Sequence, residues 1–498
     1  MKLHAPLLAC SLPAFSLLAA SAHAKWSTAT LSQARHRIAA TSVGDLALFA
    51  GGTIPATGPT DVVDLYDAST GTWTTSALST PRELIGATSV AGRAYFAGGS
   101  EPVIGAVSTI DVYDVATGTW SITSLSVPRI KVGATTVGQY AVFAGGSDDS
   151  FTLWSDVVDV FDSSTGLWST ATLPIFMPFA TAVSVGDRAL VFSDFGSQDL
   201  VLFDPATGLS DVVDRPDALI NQVLVAVAGA PGRFWLAGGA NSFFPQSTLG
   251  EVHEYDVATG TWSVSPLAEA RGGIGAARTS TKLVLAGGFI GSTALDATAA
   301  VDVFDLVDGS RTTASLATPR TLATAVEVGG RLLFAGGLEG PVTGTQTPSA
   351  AVDIYDDRLG TTYCAPAVPN STGAPAEIRV EGVPGTVALG RVTLVGTDLP
   401  LGSAGYFVTS KTQDLVPGAG GSQGTLCIGG AVGRYATSVF VAPFGGQVQL
   451  TIDLLAMPSP TGTVPVLPGE TWNFQAWYRD ANPTATTNFT SAVAVTFR

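Results

Sequence analysis

The sequence predicts an all-β protein, most of it made by tandem repetition of one sheet-forming unit, with a smaller β-type region after the repeats. Two recurring features carry this prediction. A Gly-Gly doublet closes an apolar run at Gly51-Gly52, Gly98-Gly99, Gly145-Gly146, Gly238-Gly239, Gly287-Gly288 and Gly336-Gly337. An aromatic-Asp pair follows at Tyr66-Asp67, Tyr113-Asp114, Phe161-Asp162, Phe203-Asp204, Tyr255-Asp256, Phe304-Asp305 and Tyr355-Asp356. The doublets fall 47, 47, 93, 49 and 49 residues apart, so the long interval hides a degenerate copy at Ala189 to Asp194, and the count becomes seven units.

One unit shows why the pattern is β. Residues 38–43 and 46–50 are short β-prone runs joined by Gly44-Asp45, a tight hairpin signal. A third run, 62–66, ends at Asp67, whose carboxylate is suited to cap the turn that Thr70-Gly71 completes. A fourth strand starts at the indole of Thr-Gly-x-Trp, found at Trp73, Trp120, Trp168 and Trp262 and missing from units four and six. These repeated aromatics are expected to pack neighbouring sheets against one another.

Hydrophobic strand, Gly-Gly, Tyr-Asp and Trp in this order, at a period near 50 residues, resemble the Kelch repeat. The resemblance covers residues 25–363 and implies four-stranded blades in a seven-bladed β-propeller. Lys25-Trp26-Ser27-Thr28-Ala29-Thr30-Leu31 matches the fourth strand around Trp73, and the seventh unit leaves the pattern at Tyr363-Cys364. The N-terminal strand is therefore expected to complete the last blade and close the ring, removing open sheet edges. An Arg follows the outer strand at Arg35, Arg82, Arg129, Arg271 and Arg320, and an Asp recurs at Asp64, Asp111, Asp159, Asp302 and Asp353. Repeated ion pairs are the expected reading, and a ring of arginines gripping an anion is the alternative.

The start of the chain has Lys2, an apolar run and Ala22-His23-Ala24, the pattern of a secretory signal peptide over residues 1–24. The expected location is secreted, cell-surface or periplasmic, with no membrane insertion. A net charge of −16 argues against nucleic acid as a partner, because phosphate binding needs Lys/Arg patches. Beyond the leader only Cys364 and Cys427 remain, and a disulfide between them would stabilise by roughly 4 kcal/mol in the chain-entropy account.

Function is expected in the segments that differ most between units, the loops between second and third strands: 53–60, 100–108, 147–155, 195–198, 240–250, 289–299 and 338–350. Within them Glu101, Asp148, Asp149, Phe151, Trp154, Phe243 and Phe244 are the ligand-binding candidates, since aromatic faces beside carboxylates suit a glycan or a protein partner. No catalytic residue, metal site or cofactor is predicted. The copper-radical members of the Kelch group use two histidines, two tyrosines and a cysteine; here only His36 and His253 lie beyond the leader, and Cys364 follows the repeats. A carbohydrate-active enzyme of isomerase, mutarotase or lyase type, with acidic groups at the pore, is a second reading, and a structural cell-surface protein a third.

Residues 364–498 lose the repeat. Alternation at 391–396, 447–455, 471–478 and 492–497 predicts a small β-sandwich, with Trp472, Phe474 and Tyr478 on one face and Trp477 on the other. Cys364 to Gly373, Gly420 to Cys427 and Gly469 to Asp480 resemble a C-terminal module of secreted planctomycete-type bacterial proteins, a resemblance that implies no activity.

Overall fold

The computed structural model describes residues 25–55, 57–193, 199–215, 225–240, 248–291, 296–341, 345–382 and 391–497. The leader expected over residues 1–24 lies outside them. The described chain is all-β, with many four-stranded antiparallel sheets of the kind that make a β-propeller-like fold.

In the first sheet, Ala39–Val43, Leu46–Ala50, Val62–Asp67 and Thr72–Ala77 pair in sequence order. Burial follows position: the second strand is almost wholly buried, and the fourth is mostly exposed. The aromatic-Asp pair does both jobs read from the sequence. Tyr66 packs against Trp73 at 4.9 Å between ring centroids, as Tyr113 does against Trp120 at 5.0 Å. Asp67 accepts hydrogen bonds from the amides of Ser69 and Thr70 at 2.8 and 3.2 Å, and Asp114 repeats this with Ala116 and Thr117.

First strands of successive sheets lie side by side, from Ala39–Val43 through to Thr324–Val328, and Thr324–Val328 again lies beside Ala39–Val43. Trp26–Thr30 pairs with Ala351–Asp356, setting Trp26 opposite Tyr355 as Trp73 stands opposite Tyr66. The glycine doublets sit at the junctions. Gly52, Gly99, Gly146, Gly239 and Gly288 each donate an amide to a carbonyl of the next unit, and Gly337 donates to Arg35 of the first at 3.3 Å. At the residue just before each of these a Cβ would collide with that same carbonyl, and the backbone there is left-handed, so the position takes glycine.

The recurring arginines are buried. Arg35, Arg82, Arg271 and Arg320 have no exposed surface and Arg129 almost none. Arg35 pairs with Asp64 at 2.8 Å, Arg271 with Asp302 at 2.8 Å and Arg320 with Asp353 at 2.6 Å, while Arg82 and Arg129 pair with Asp111 and Asp159. The other oxygen of each Asp accepts an amide from the loop that carries the Arg, as Ser79 donates to Asp111 at 3.1 Å and Ser126 to Asp159 at 2.9 Å. Such arginines are not available to an external anion. They stitch each incoming loop to the third strand of its sheet.

The fourth sheet makes the same junction without charge. Met177 occupies the Arg position and Val201 the Asp position, and both are fully buried in one apolar cluster. A matched apolar pair replaces a matched ion pair, as the cost of desolvating charges allows. In the fifth sheet His253 stands in the Asp position, with Nε2 2.9 Å from a Glu251 carboxylate oxygen.

After residue 357 two sheets pack face to face, consistent with a β-sandwich. One contains Glu377–Gly382, Arg391–Thr397 and Val448–Asp453, and the other Ala404–Ser410, Thr471–Ala481 and Ala492–Thr496. Trp472, Phe474 and Tyr478 are buried between them, and Trp477 on the opposite face packs in a tilted arrangement against Tyr406, with ring centroids 5.0 Å apart. Cys364 and Cys427 form a disulfide with Cα atoms 6.4 Å apart.

Asp111→Ala is expected to destabilise the protein by about 3 to 5 kcal/mol, because it leaves the Arg82 guanidinium buried without its counter-charge. Chemical denaturation measures this; a loss under about 1 kcal/mol, the range of an exposed ion pair, contradicts it.

Candidate functional site

Antiparallel order within each sheet sends the hairpin turns to one end and the variable loops to the other. The C-terminal sheets sit against the turn end. There Asp357 is fully buried and accepts from Lys25 Nζ and Thr279 Oγ1, both at 2.9 Å, while Lys25 also donates to the Gly382 carbonyl at 3.0 Å. Glu381, also fully buried, accepts the Ser280 amide at 3.2 Å and Arg379 Nε at 2.6 Å. A cavity of about 990 Å³ remains beside this junction, lined by Ser42, Asp45, Ser89, Arg379, Asp398 and Phe444 among others. Glu377 lies close by. Burial, with the charges of Asp45 and Asp398 adding, pushes its carboxyl up to about 7.

Among the described residues the module's contacts are at the turn end, and most of the sequence candidates gather at the loop end. Asp148 organises its own loop: its carboxylate accepts the amides of Thr152 and Leu153 at 3.0 and 3.1 Å and the Ser150 hydroxyl at 2.5 Å. The next residue, Asp149, accepts the Ser100 hydroxyl at 2.6 Å, tying loop 147–155 to loop 100–108 of the preceding sheet. Glu101 accepts from Thr80 Oγ1 at 2.7 Å. Phe151 is held at φ 58° and stacks on Phe179 at 5.2 Å, and the Trp154 indole donates to the Phe151 carbonyl at 3.3 Å. Glu101, Asp148, Asp149, Phe151 and Trp154 thus come together on two adjoining loops. Phe243 and Phe244 lie outside the described residues.

Two sets of residues at this end escaped sequence reasoning. The first is aliphatic: Val103 is 94% exposed, Ile104 73% and Leu153 70%, beside the half-exposed Phe151, Trp154 and Phe176. The amide of Met177 donates to Ser155 at 3.0 Å, which brings Phe176 alongside loop 147–155. The second is a recurrent left-handed position two residues after each junction Arg or Met: Arg37, Leu84, Lys131, Phe179 and Leu322, with φ from 49° to 59°, and Gly273 in the sixth unit at 62°. Left-handed backbone costs a non-glycine residue roughly 1 to 2 kcal/mol. Here it is enforced by neighbours, as the Lys131 amide donates to the Leu84 carbonyl and the Leu322 amide to Gly273, both at 2.9 Å. The backbone repeats while the side chain changes from unit to unit. Period counting alone exposes the position; local propensity does not.

Among the described residues, no group of three or more His, Cys, Asp or Glu is placed to hold a metal ion. No helix among them is long and apolar enough to cross a membrane. No family model matches the chain, and no curated protein matches it. Among solved structures it is similar to the one titled "Structure of YjhT", at 13% identity and a TM-score of 0.43, over 65% of this chain and 95% of that one.

The Glu377 environment predicts a pH dependence. Its carboxyl rises from an ordinary 4.5 to about 7, so the folded protein holds a proton that the unfolded chain releases over that interval. Its contribution to stability is full below about pH 4.5 and fades as pH rises through about 7. Glu377→Gln should match the parent in melting temperature near pH 4.5 and exceed it at pH 8. Parallel pH profiles for the two proteins contradict the assignment.

Proposed function

We propose that this chain is an exported recognition protein: a seven-bladed propeller of Kelch type, closed by its N-terminal strand, that binds a glycan or protein partner through the loop face. The C-terminal module covers the opposite face and is proposed to serve attachment or sorting. Loss of residues 1–24 on export would leave Lys25 at the start of the closing strand. The observation that carries the reading is the arc of exposed side chains from Val103 to Phe176, mounted on loops whose backbones are fixed by Asp148, Asp149 and the left-handed residues. Preorganised loops lose little entropy on binding, which favours recognition over incidental exposure.

Closure is supported by the Trp26–Thr30 pairing and the Gly337 to Arg35 hydrogen bond. Deleting residues 25–33 should therefore lower the melting temperature of the whole repeat region in one transition, read by tryptophan fluorescence and circular dichroism. An unchanged melting temperature contradicts closure.

Recognition is tested by screening the purified chain against glycan and peptide arrays, with a Phe151→Ser/Trp154→Ala variant in parallel. Both side chains are half-exposed, and because Phe151 also stacks on Phe179 the melting temperature of the variant is measured beside its binding. Any specific ligand should bind it at least about thirtyfold more weakly, the scale of a lost aromatic anchor. A ligand that binds both proteins equally contradicts the assignment to this face.

A further inference from the structure

We infer that the loop-face patch takes a protein partner, through a segment that presents apolar side chains bordered by Lys or Arg; the inference rests on the recognition reading above. The aliphatic make-up of the exposed surface is what separates a protein from a sugar. A sugar platform needs an aromatic face together with polar groups free to bind hydroxyls. Here Asp148 is taken up by Ser150, Thr152 and Leu153 in building its own loop, while Asp149 and Glu101 each accept one hydrogen bond, from Ser100 and Thr80. Between them the surface is aliphatic, with Val103, Ile104 and Leu153 at 94, 73 and 70% exposure. Aliphatic tips offer nothing to a hydroxyl, but they match the apolar centre of a protein interface.

Charge identifies the partner further. A hydrogen bond accepted by a carboxylate leaves its charge in place. The hydrogen bonds around Asp148 in fact hold its carboxyl below the usual range, so it is ionised at neutral pH. Glu101, Asp148 and Asp149 thus border the patch with three carboxylates; the buried Arg82 guanidinium interacts with Glu101, and Lys131 stands on the neighbouring left-handed position. With a chain net charge of −16, the field at this face attracts cations and speeds their encounter. Contiguity is built in. The Ser100 to Asp149 bond joins the two loops, and a Cβ on Gly105 would lie 3.1 Å from the Asp149 carboxylate, so the tip bearing Val103 and Ile104 is held against loop 147–155.

The test is selection of a random dodecapeptide display library on the immobilised full chain, with a glycan array probed in parallel. Val103→Ser/Ile104→Ser, Asp149→Asn and Trp154→Ala variants are compared, each checked by melting temperature. The expected result is enrichment of peptides that combine Leu, Ile, Phe or Trp with Lys or Arg. Their affinity should fall at least about fivefold in the aliphatic variant, the scale of a lost interface contact. Asp149→Asn should slow association at low salt and matter less at high salt. Acidic or uncharged selected peptides, or peptides indifferent to the aliphatic substitutions, overturn the inference. An oligosaccharide whose binding depends on Trp154 but not on Val103 and Ile104 overturns it and leaves the recognition reading standing. Absence of any ligand, or ligands indifferent to every loop variant, overturns both.

Discussion

The buried Arg–Asp pair that joins the incoming loop to the third strand in five of the sheets is the constraint on which the rest of the repeat region depends. Its guanidinium is fully enclosed, so the pair exists only where both partners and the surrounding carbonyls are in place; Arg82 also donates to the carbonyls of Gly98 and Thr109, at 2.6 and 2.9 Å. Once the loop is fixed, the carbonyl of that Arg accepts an amide from the glycine doublet of the preceding unit, at 3.0 Å for Gly52 and Arg82. The left-handed residue two positions further on is fixed with it. A single charge pair therefore links sheet to sheet and sets the backbone of the loop end.

The fourth and fifth units show what the constraint demands. Met177 and Val201 replace both charges with buried apolar groups, which satisfies the junction at no desolvation cost. His253 replaces the carboxylate and turns to Glu251. In the fourth unit a matched apolar pair thus stands where five others hold a matched ion pair, so charge is one way of meeting the need. The two ends of the sheets are then free to diverge: the turn end buries Asp357 and Glu381 in contacts with Lys25, Ser280 and Arg379, while the loop end keeps large apolar side chains in solvent.

Legibility in the sequence followed recurrence. The Asp caps, the Tyr–Trp packing, the Arg–Asp pairs and the place of Trp26 were readable because the same chemistry repeats at the same spacing. The left-handed position was not, since Leu84, Lys131 and Phe179 have no local preference for that backbone and adopt it through tertiary hydrogen bonds. The contacts of Asp357 and Glu381 were equally hidden, because each joins segments far apart in sequence and occurs once. Of the candidate site, the aromatic and acidic members stand out in the sequence as unusual loop residues. Val103, Ile104 and Leu153 were passed over because exposure, rather than identity, marks them.

A double-mutant cycle on Arg82 and Asp111 measures whether the two charges hold the junction as one unit. With both single Ala variants, the double variant and the parent unfolded in denaturant, the account predicts strong coupling, on the order of 2 kcal/mol, with the double variant less destabilised than the sum of the singles. Additive losses would show that the two side chains stabilise the junction independently and that no paired constraint joins the sheets.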